Sequence, residues 1–321
     1  IIPTLKIQKT FYKLLNNISP DCLILIDYMG PNIKIGSKVR QFNKKIPIYY
    51  YIAPQEWAWR VGNNSTTNLI SFSDRIFAIF KQEADFYKKR GGNVFWVGHP
   101  MVDLTKKLPT KKESRSYLKL KANQDILLLM PASRPQELKY ILPVFIKVAK
   151  KIQDKYPNLI VFIPSCRRSF DKTFQKVLIE YEVNGRVISL DEIEQNKKYI
   201  YALSKLALCK SGTVNMELAL YGVPQIVGYR VSRVTAFIAK KILNFKVKYI
   251  SPVNLLMKRL VIPEFVQKDF EVEKIFKKSC YLIEKKNENK KIKKGYLSLK
   301  KELGEAGVVR RTAEEILNSL T

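Results

Sequence analysis

A single histidine, His99, stands in 321 residues, so no metal centre built from several imidazoles can form. No Asp-x-Asp pair occurs either, which removes the carboxylate-held metal of much sugar-nucleotide chemistry; neither a metal nor a cofactor is expected. The cysteines at 22, 166, 209 and 280 make no CxxC pair, and two lie in apolar strand-like runs. They read as buried free thiols of a reducing compartment, without a disulfide frame. Acidic residues are scarce, 28 Asp and Glu against 58 Lys and Arg, and the net charge of +30 implies an anionic partner, with genome composition acting on solvated surfaces as the plain alternative. The lysines are spread along the whole chain, and no recognition helix, zinc finger or RNA-recognition motif accompanies them, so nucleic acid is not the expected partner. No apolar run approaches the roughly 18 residues of a membrane-spanning helix. The first residue is Ile1 and nothing near it resembles a signal peptide, so the chain reads as one whose start is missing.

What is present is a βα rhythm in two halves. With 46% apolar residues the chain can build two domains, each with its own core. Residues 22–26 and 46–52 are continuous apolar runs suited to burial on both faces of a parallel sheet, with a helix predicted over 33–43 between them. A strand at 75–80, a helix at 83–87 and a strand at 94–97 follow, ending at Gly98-His99-Pro100. Residues 105–124 are rich in Lys, Ser and Thr and read as a linker. The alternation resumes at 125–130 with strands also at 159–163, 186–190 and 206–209 and helices at 136–152 and 170–181. Residues 285–294, nearly all Lys, Asn and Glu, read as a second polar connector before a terminal helical region over 299–320, interrupted near Gly304 and Gly307. The expected domains are therefore 1–104, with 299–321 as a candidate for packing on it, and 125–298.

The segment 211–230, SGTVNMELALYGVPQIVGYR, is the most informative. A Ser-Gly-Thr turn between a strand and a helix can hold a phosphate on unpaired N–H groups, and Gly212 lets an anion approach without a Cβ in the way. The plain alternative is an ordinary helix cap. Two α/β domains facing a cleft, with the phosphate turn in the second, correspond to a GT-B plan of two Rossmann-like parallel-sheet domains.

Several separated segments resemble the lipid-A-disaccharide synthase family, in order and in spacing. They are Pro20-Asp21 with Ile26-Asp27, residues 50–60 (YYIAPQEWAWR), residues 77–87, and Gly98-His99-Pro100 with Asp103. In the second half they are Pro131-Ala132-Ser133-Arg134 with Glu137, Ser211-Gly212-Thr213 with Glu217, Gly228-Tyr229-Arg230, and Tyr249-Ile250-Ser251 with Asn254-Leu255-Leu256. The resemblance implies an inverting transferase that moves 2,3-diacylglucosamine from UDP to 2,3-diacylglucosamine 1-phosphate, forming a β-1,6 disaccharide. It implies Asp27 as the base that deprotonates the acceptor 6-hydroxyl, with an Asp capping the following turn as its plain alternative, and Arg134 as an arginine needed for activity, pairing with phosphate oxygens. Ser133 assists; Ser211, Gly212 and Thr213 cradle the UDP phosphates; Glu217 meets the ribose hydroxyls; and Asn254 matches a functional position, with an exposed polar loop residue as its plain alternative. His99 is a secondary candidate for base, its alternative being a hydrogen bond to the backbone of a tight turn. Trp57, Trp59 and residues 49–51 read as core, with the lining of an acyl or sugar pocket as the alternative.

The departures are equally legible. The family's opening strand, its Gly-Glu-x-Ser-Gly-Asp loop and a hydrophobic segment associated with the membrane precede any residue seen here; a true start at Ile1 would leave an unpaired sheet edge, an incomplete acceptor site and little activity. Ala132 replaces a glycine, and Gly30 stands where a second Asp is commoner. Acylated substrates imply docking on the anionic inner face of the bacterial inner membrane, with Lys240-Lys241, Phe237 and Phe245 as a candidate basic patch. A homodimer is left open. The alternatives are another UDP-sugar GT-B transferase, a UDP-sugar epimerase and a nonenzymatic remnant.

Overall fold

A computed structural model describes residues 2–15, 17–58, 64–105, 107–232 and 248–320. Trp59, Arg60 and the basic patch of Phe237, Lys240, Lys241 and Phe245 lie outside the described residues. The chain divides into two units, Ile1–Leu104 with Lys301–Thr321, and Thr105–Lys300.

In the first unit, four strands pair in parallel in the order β1 (Leu23–Ile26), β2 (Ile48–Tyr51), β3 (Arg75–Ala78) and β4 (Val94–Trp96). Short runs of branched and aromatic residues suit such a sheet because both faces can be covered. One face buries Leu25, Tyr50 and Ile76 with Ile35, Val39, Leu69 and Phe72 from the helices Met29–Phe42 and Asn64–Phe72. The other buries Tyr49, Phe77 and Val97 beneath Val308 and Ile316 of the helix Val308–Asn318. β1 departs from the expectation of burial on both faces: Leu23 and Leu25 point into the core, whereas Ile24 and Ile26 remain 43% and 54% exposed. Among the described residues β1 stands last in the pairing order, and successive side chains of a strand point to opposite faces, so its burial alternates.

The second unit is a six-stranded parallel sheet of β5 (Asp125–Met130), β6 (Leu159–Pro164), β7 (Gly185–Ile188), β8 (Ser204–Lys210), β9 (Gln225–Tyr229) and β10 (Glu264–Val266). Their order is β10-β9-β8-β5-β6-β7. The chain runs outward from β5 through β6 and β7, then returns to β8 on the other side of β5. A topological switch point therefore lies between β5 and β8, the place where open α/β sheets take ligands. Leu127, Leu128, Leu206 and Leu208 at the sheet centre have no exposed surface; each contributes about 2 kcal/mol by burial. Gly228 leaves the space in β9 that Phe270 and Phe145 fill: a Cβ there would sit 2.1 Å from the Phe270 ring. Those two rings meet edge to face at 5.2 Å.

Residues read as linker and connector are structured. Within 105–124 lies the helix Lys111–Tyr117, capped by Thr110, with Ser114 and Leu118 buried and Tyr117 stacked on Tyr199 at 3.8 Å. Residues 286–303 form one helix, Lys286–Leu303. Its buried Ile292, Tyr296, Leu299 and Leu303 recur at helical spacing, while Lys and Glu, good helix formers, occupy the outer faces. The helix ends at Gly304, φ +92°, which packs against Gly98, φ +94°; a Cβ on Gly98 would stand 3.0 Å from the Leu303 carbonyl oxygen. Of the four free cysteines only Cys209 and Cys280 are buried; Cys166 is exposed.

Candidate active site

At the switch point two turns emerge from neighbouring strands. After β5, Glu137 Oε2 accepts from the backbone N–H of Ser133 at 2.5 Å and of Arg134 at 3.0 Å, and from Ser133 Oγ at 3.2 Å. Its Oε1 pairs with Lys210 Nζ, at the end of β8, at 3.4 Å. Both side chains are mostly buried, 17% exposed for Lys210 and 14% for Glu137. Gly212 makes room for this ammonium: a Cβ there would lie 3.1 Å from Lys210 Nζ. Tyr229 at the end of β9 belongs to the same group; burial pushes its hydroxyl pKa up and Glu137 adds to the rise, against the pull of Arg134. Cys166, after β6, donates to the Ala132 carbonyl at 3.4 Å. Arg134 and Ser133 are thus brought to the carboxyl ends of the strands together with a cation, Lys210, that nothing in the sequence sets apart from the other lysines.

The Ser-Gly-Thr turn is more fully occupied from within than its sequence implies. Asn215 Oδ1 accepts from the Gly212 N–H at 2.9 Å, and Asn215 Nδ2 reaches the Lys210 carbonyl and Gln225 Oε1 at 3.1 and 3.2 Å. Ser211 Oγ donates to the Ile250 carbonyl at 2.6 Å. The Gly212 amide and the Ser211 proton are therefore committed to the fold, and Thr213 opens a helix, Val214–Leu220, of seven residues. Asn254, expected at the ligand, has no exposed surface. Its Nδ2 donates to the Ile262 carbonyl and Glu264 Oε1, both at 2.8 Å, and its Oδ1 accepts from the amides of Val261 and Ile262 at 2.7 and 3.0 Å. A side chain with every polar position used inside the protein positions its neighbours. Glu264 extends that clasp by accepting from the Ile250 and Ser251 amides, both at 2.9 Å, which fixes the carbonyl that Ser211 binds. Glu217 is paired with Lys197 Nζ at 3.2 Å and lies beside Tyr201.

In the first unit Asp27 directly follows β1 and is exposed. Its φ of +48° and the +38° of Tyr28 are left-handed values, uncommon outside glycine. A restraint is visible: Asn32 Nδ2 donates to the carbonyls of Ile26 and Asp27 at 2.9 and 2.8 Å, and Tyr50 Oη donates to the Asp27 carbonyl at 2.7 Å. The backbone is held so that the carboxylate stands clear of the sheet. His99 is buried, and burial lowers its pKa to about 4. Its Nδ1 accepts from the Met101 N–H at 3.2 Å, which uses the lone pair a base would need and leaves a neutral ring leaning on Phe80 at 5.2 Å. This is its turn-holding alternative. Nearby, Glu83 is fully buried, with a pKa raised by burial to about 8. Its Oε2 accepts from Gln55 Nε2 at 3.2 Å and from the amides of Ile79 and Phe80 at 3.1 and 3.3 Å, and Gln55 in turn accepts from Trp57 Nε1 at 2.5 Å.

Parallel-sheet units of this form match solved structures across nearly the whole chain. A UDP-GlcNAc 2-epimerase from Neisseria meningitidis bound to UDP-GlcNAc superposes with a TM-score of 0.64 at 17% identity, over 98% of this chain and 81% of that one. A Staphylococcus aureus MnaA–UDP structure gives 0.65 at 14% identity, over 99% and 80%. At that identity the likeness defines the class, a GT-B-type α/β fold. Sequence goes further. A lipid-A-disaccharide synthetase family model matches residues 1–318. Lipid-A-disaccharide synthase of Prochlorococcus marinus (strain MIT 9313) is 47% identical over 99% of this chain and 81% of its own length, and that of Gloeothece citriformis (strain PCC 7424) 41% identical over 99% and 82%. The chain belongs to the lipid-A-disaccharide synthase family of glycosyltransferases.

Proposed function

We propose that the protein transfers 2,3-diacylglucosamine from UDP to the 6-hydroxyl of 2,3-diacylglucosamine 1-phosphate, with inversion, giving the β-1,6 disaccharide and UDP. The observation that carries this reading is the 47% identity to a lipid-A-disaccharide synthase across 99% of the chain. The Asp27 carboxylate takes the acceptor proton as the hydroxyl oxygen attacks the anomeric carbon. The bond to the β-phosphate oxygen breaks as the new one forms, and the leaving diphosphate takes up the electron pair beside Arg134. Support for Asp27 comes from its exposed carboxylate on a strained, triply restrained backbone at a strand end. For Arg134, support comes from a turn pinned by Glu137 at the switch point. Glu217 binds the ribose while sharing its carboxylate with Lys197.

Substrates with acyl chains reside in a bilayer, and a protein of net charge +30 is attracted to its anionic face, each nearby Lys or Arg contributing about 1 kcal/mol. The reading is tested by following UDP release from a UDP-diacylglucosamine donor with a diacylglucosamine 1-phosphate acceptor. Asp27→Ala is expected to lower turnover about 10²- to 10⁴-fold while leaving UDP affinity within about twofold of the parent's. Unchanged turnover in that variant removes Asp27 as the base.

A further inference from the structure

Lys210 is the best-placed cation at the switch point that the family motifs do not include. It ends β8, beside β5, and its ammonium sits between the two turns on which the phosphate expectation rests: 3.4 Å from Glu137, which holds the Ser133–Arg134 amides, and against Gly212, where any Cβ would come within 3.1 Å of it. A lysine that merely solvates a surface would extend away from the fold. Here the side chain is 83% covered, with one carboxylate as its ion partner. Glu137 has already committed its other oxygen to two amides and a hydroxyl. The Gly212 amide, the obvious backbone donor for an anion, is taken by Asn215. With that amide committed, a side-chain cation beside the turn becomes a natural contact for an anion there.

We infer that Lys210 is a second phosphate-binding cation of the donor site, acting with Arg134 on the diphosphate and stabilising it as it leaves, with Glu137 holding the ammonium in place until the nucleotide arrives. The inference rests on the donor reading under Proposed function. An ammonium is a compact charge that follows a leaving oxygen, whereas a guanidinium presents a fixed fork; the pair supplies both kinds of contact to one diphosphate.

Calorimetric titration of UDP, UMP and uridine into the parent protein and into Lys210→Met, Lys210→Gln and Lys210→Arg tests it. Lys210→Met and Lys210→Gln are expected to weaken UDP about tenfold or more, to weaken UMP more than uridine, and to leave uridine unchanged, with Lys210→Arg recovering part of the loss. Thermal melting reports whether each variant is folded, and either of the two neutral variants suffices. UDP affinity equal to the parent's in a folded neutral variant overturns the inference alone. A loss shared equally by uridine overturns it too, because it marks damage to the fold. A parent that binds no UDP overturns both this inference and the donor reading beneath it.

Discussion

Asp27 and Glu83 show two ways in which single residues of the first unit are set by their surroundings. Asp27 is held by its neighbours' side chains, so removing a restraint should act through it. Asn32→Ala deletes both amide bonds to the β1 end and is expected to lower turnover about tenfold, with UDP affinity unchanged; steady-state kinetics beside UDP titration checks this. Glu83 is set by burial. Its folded pKa, about 8, lies above the ordinary carboxyl value, so the folded state holds a proton that the unfolded chain releases as pH rises past about 4.5. Stability contributed by the neutral acid is therefore lost progressively as pH climbs toward 8. Glu83→Gln, neutral at every pH, is expected to flatten the fall in melting temperature between pH 5 and pH 8.5; an unchanged slope would refute the assignment. Sequence places Asp27 after an apolar run, and only the family resemblance singles it out as a base. Neither shows Asn32 as its restraint, because an Asn four residues into a helix carries no sign of where its amide turns. Lys210 was hidden for another reason: with 58 basic residues, charge alone marks none of them.

Helices and turns depend on a few tight contacts whose loss should be measurable. Asn254 serves the backbone of residues 261 and 262 and the Glu264 clasp, so Asn254→Ala leaves buried amides and a carboxylate short of partners. A loss of about 2–4 kcal/mol in denaturant unfolding is expected, with weakened UDP binding as its consequence through Ile250 and Ser211. Gly98→Ala places a Cβ at positive φ and against the Leu303 carbonyl and is expected to cost about 1–3 kcal/mol, read as a lower thermal midpoint. At this scale the βα rhythm was legible because parallel strands announce themselves as apolar runs. Residues 285–294 were not, since only one position in four of that helix is apolar and a ten-residue window holds too few repeats to reveal the period. The same thin apolar face hid Lys111–Tyr117. Asn254 illustrates a different limit: its residue type fits a ligand contact and a buried clasp equally, and only burial separates them.

For the whole molecule, net charge and family membership lead to distinct expectations. Binding to vesicles containing anionic lipid should exceed binding to zwitterionic vesicles and should fall steeply as salt is raised from about 0.05 to 0.5 M, where the screening length contracts severalfold. Cosedimentation measures it, and equal binding to both vesicle types would remove the electrostatic account of docking. Family membership carries the chemistry. The direct measurement is to incubate the protein with UDP-diacylglucosamine and diacylglucosamine 1-phosphate and to identify the products by mass spectrometry and NMR. The expected products are a β-1,6-linked tetraacyl disaccharide 1-phosphate and UDP in equal amount. UDP-sugar converted to its 2-epimer, or UDP released without a disaccharide, would contradict the proposed reaction.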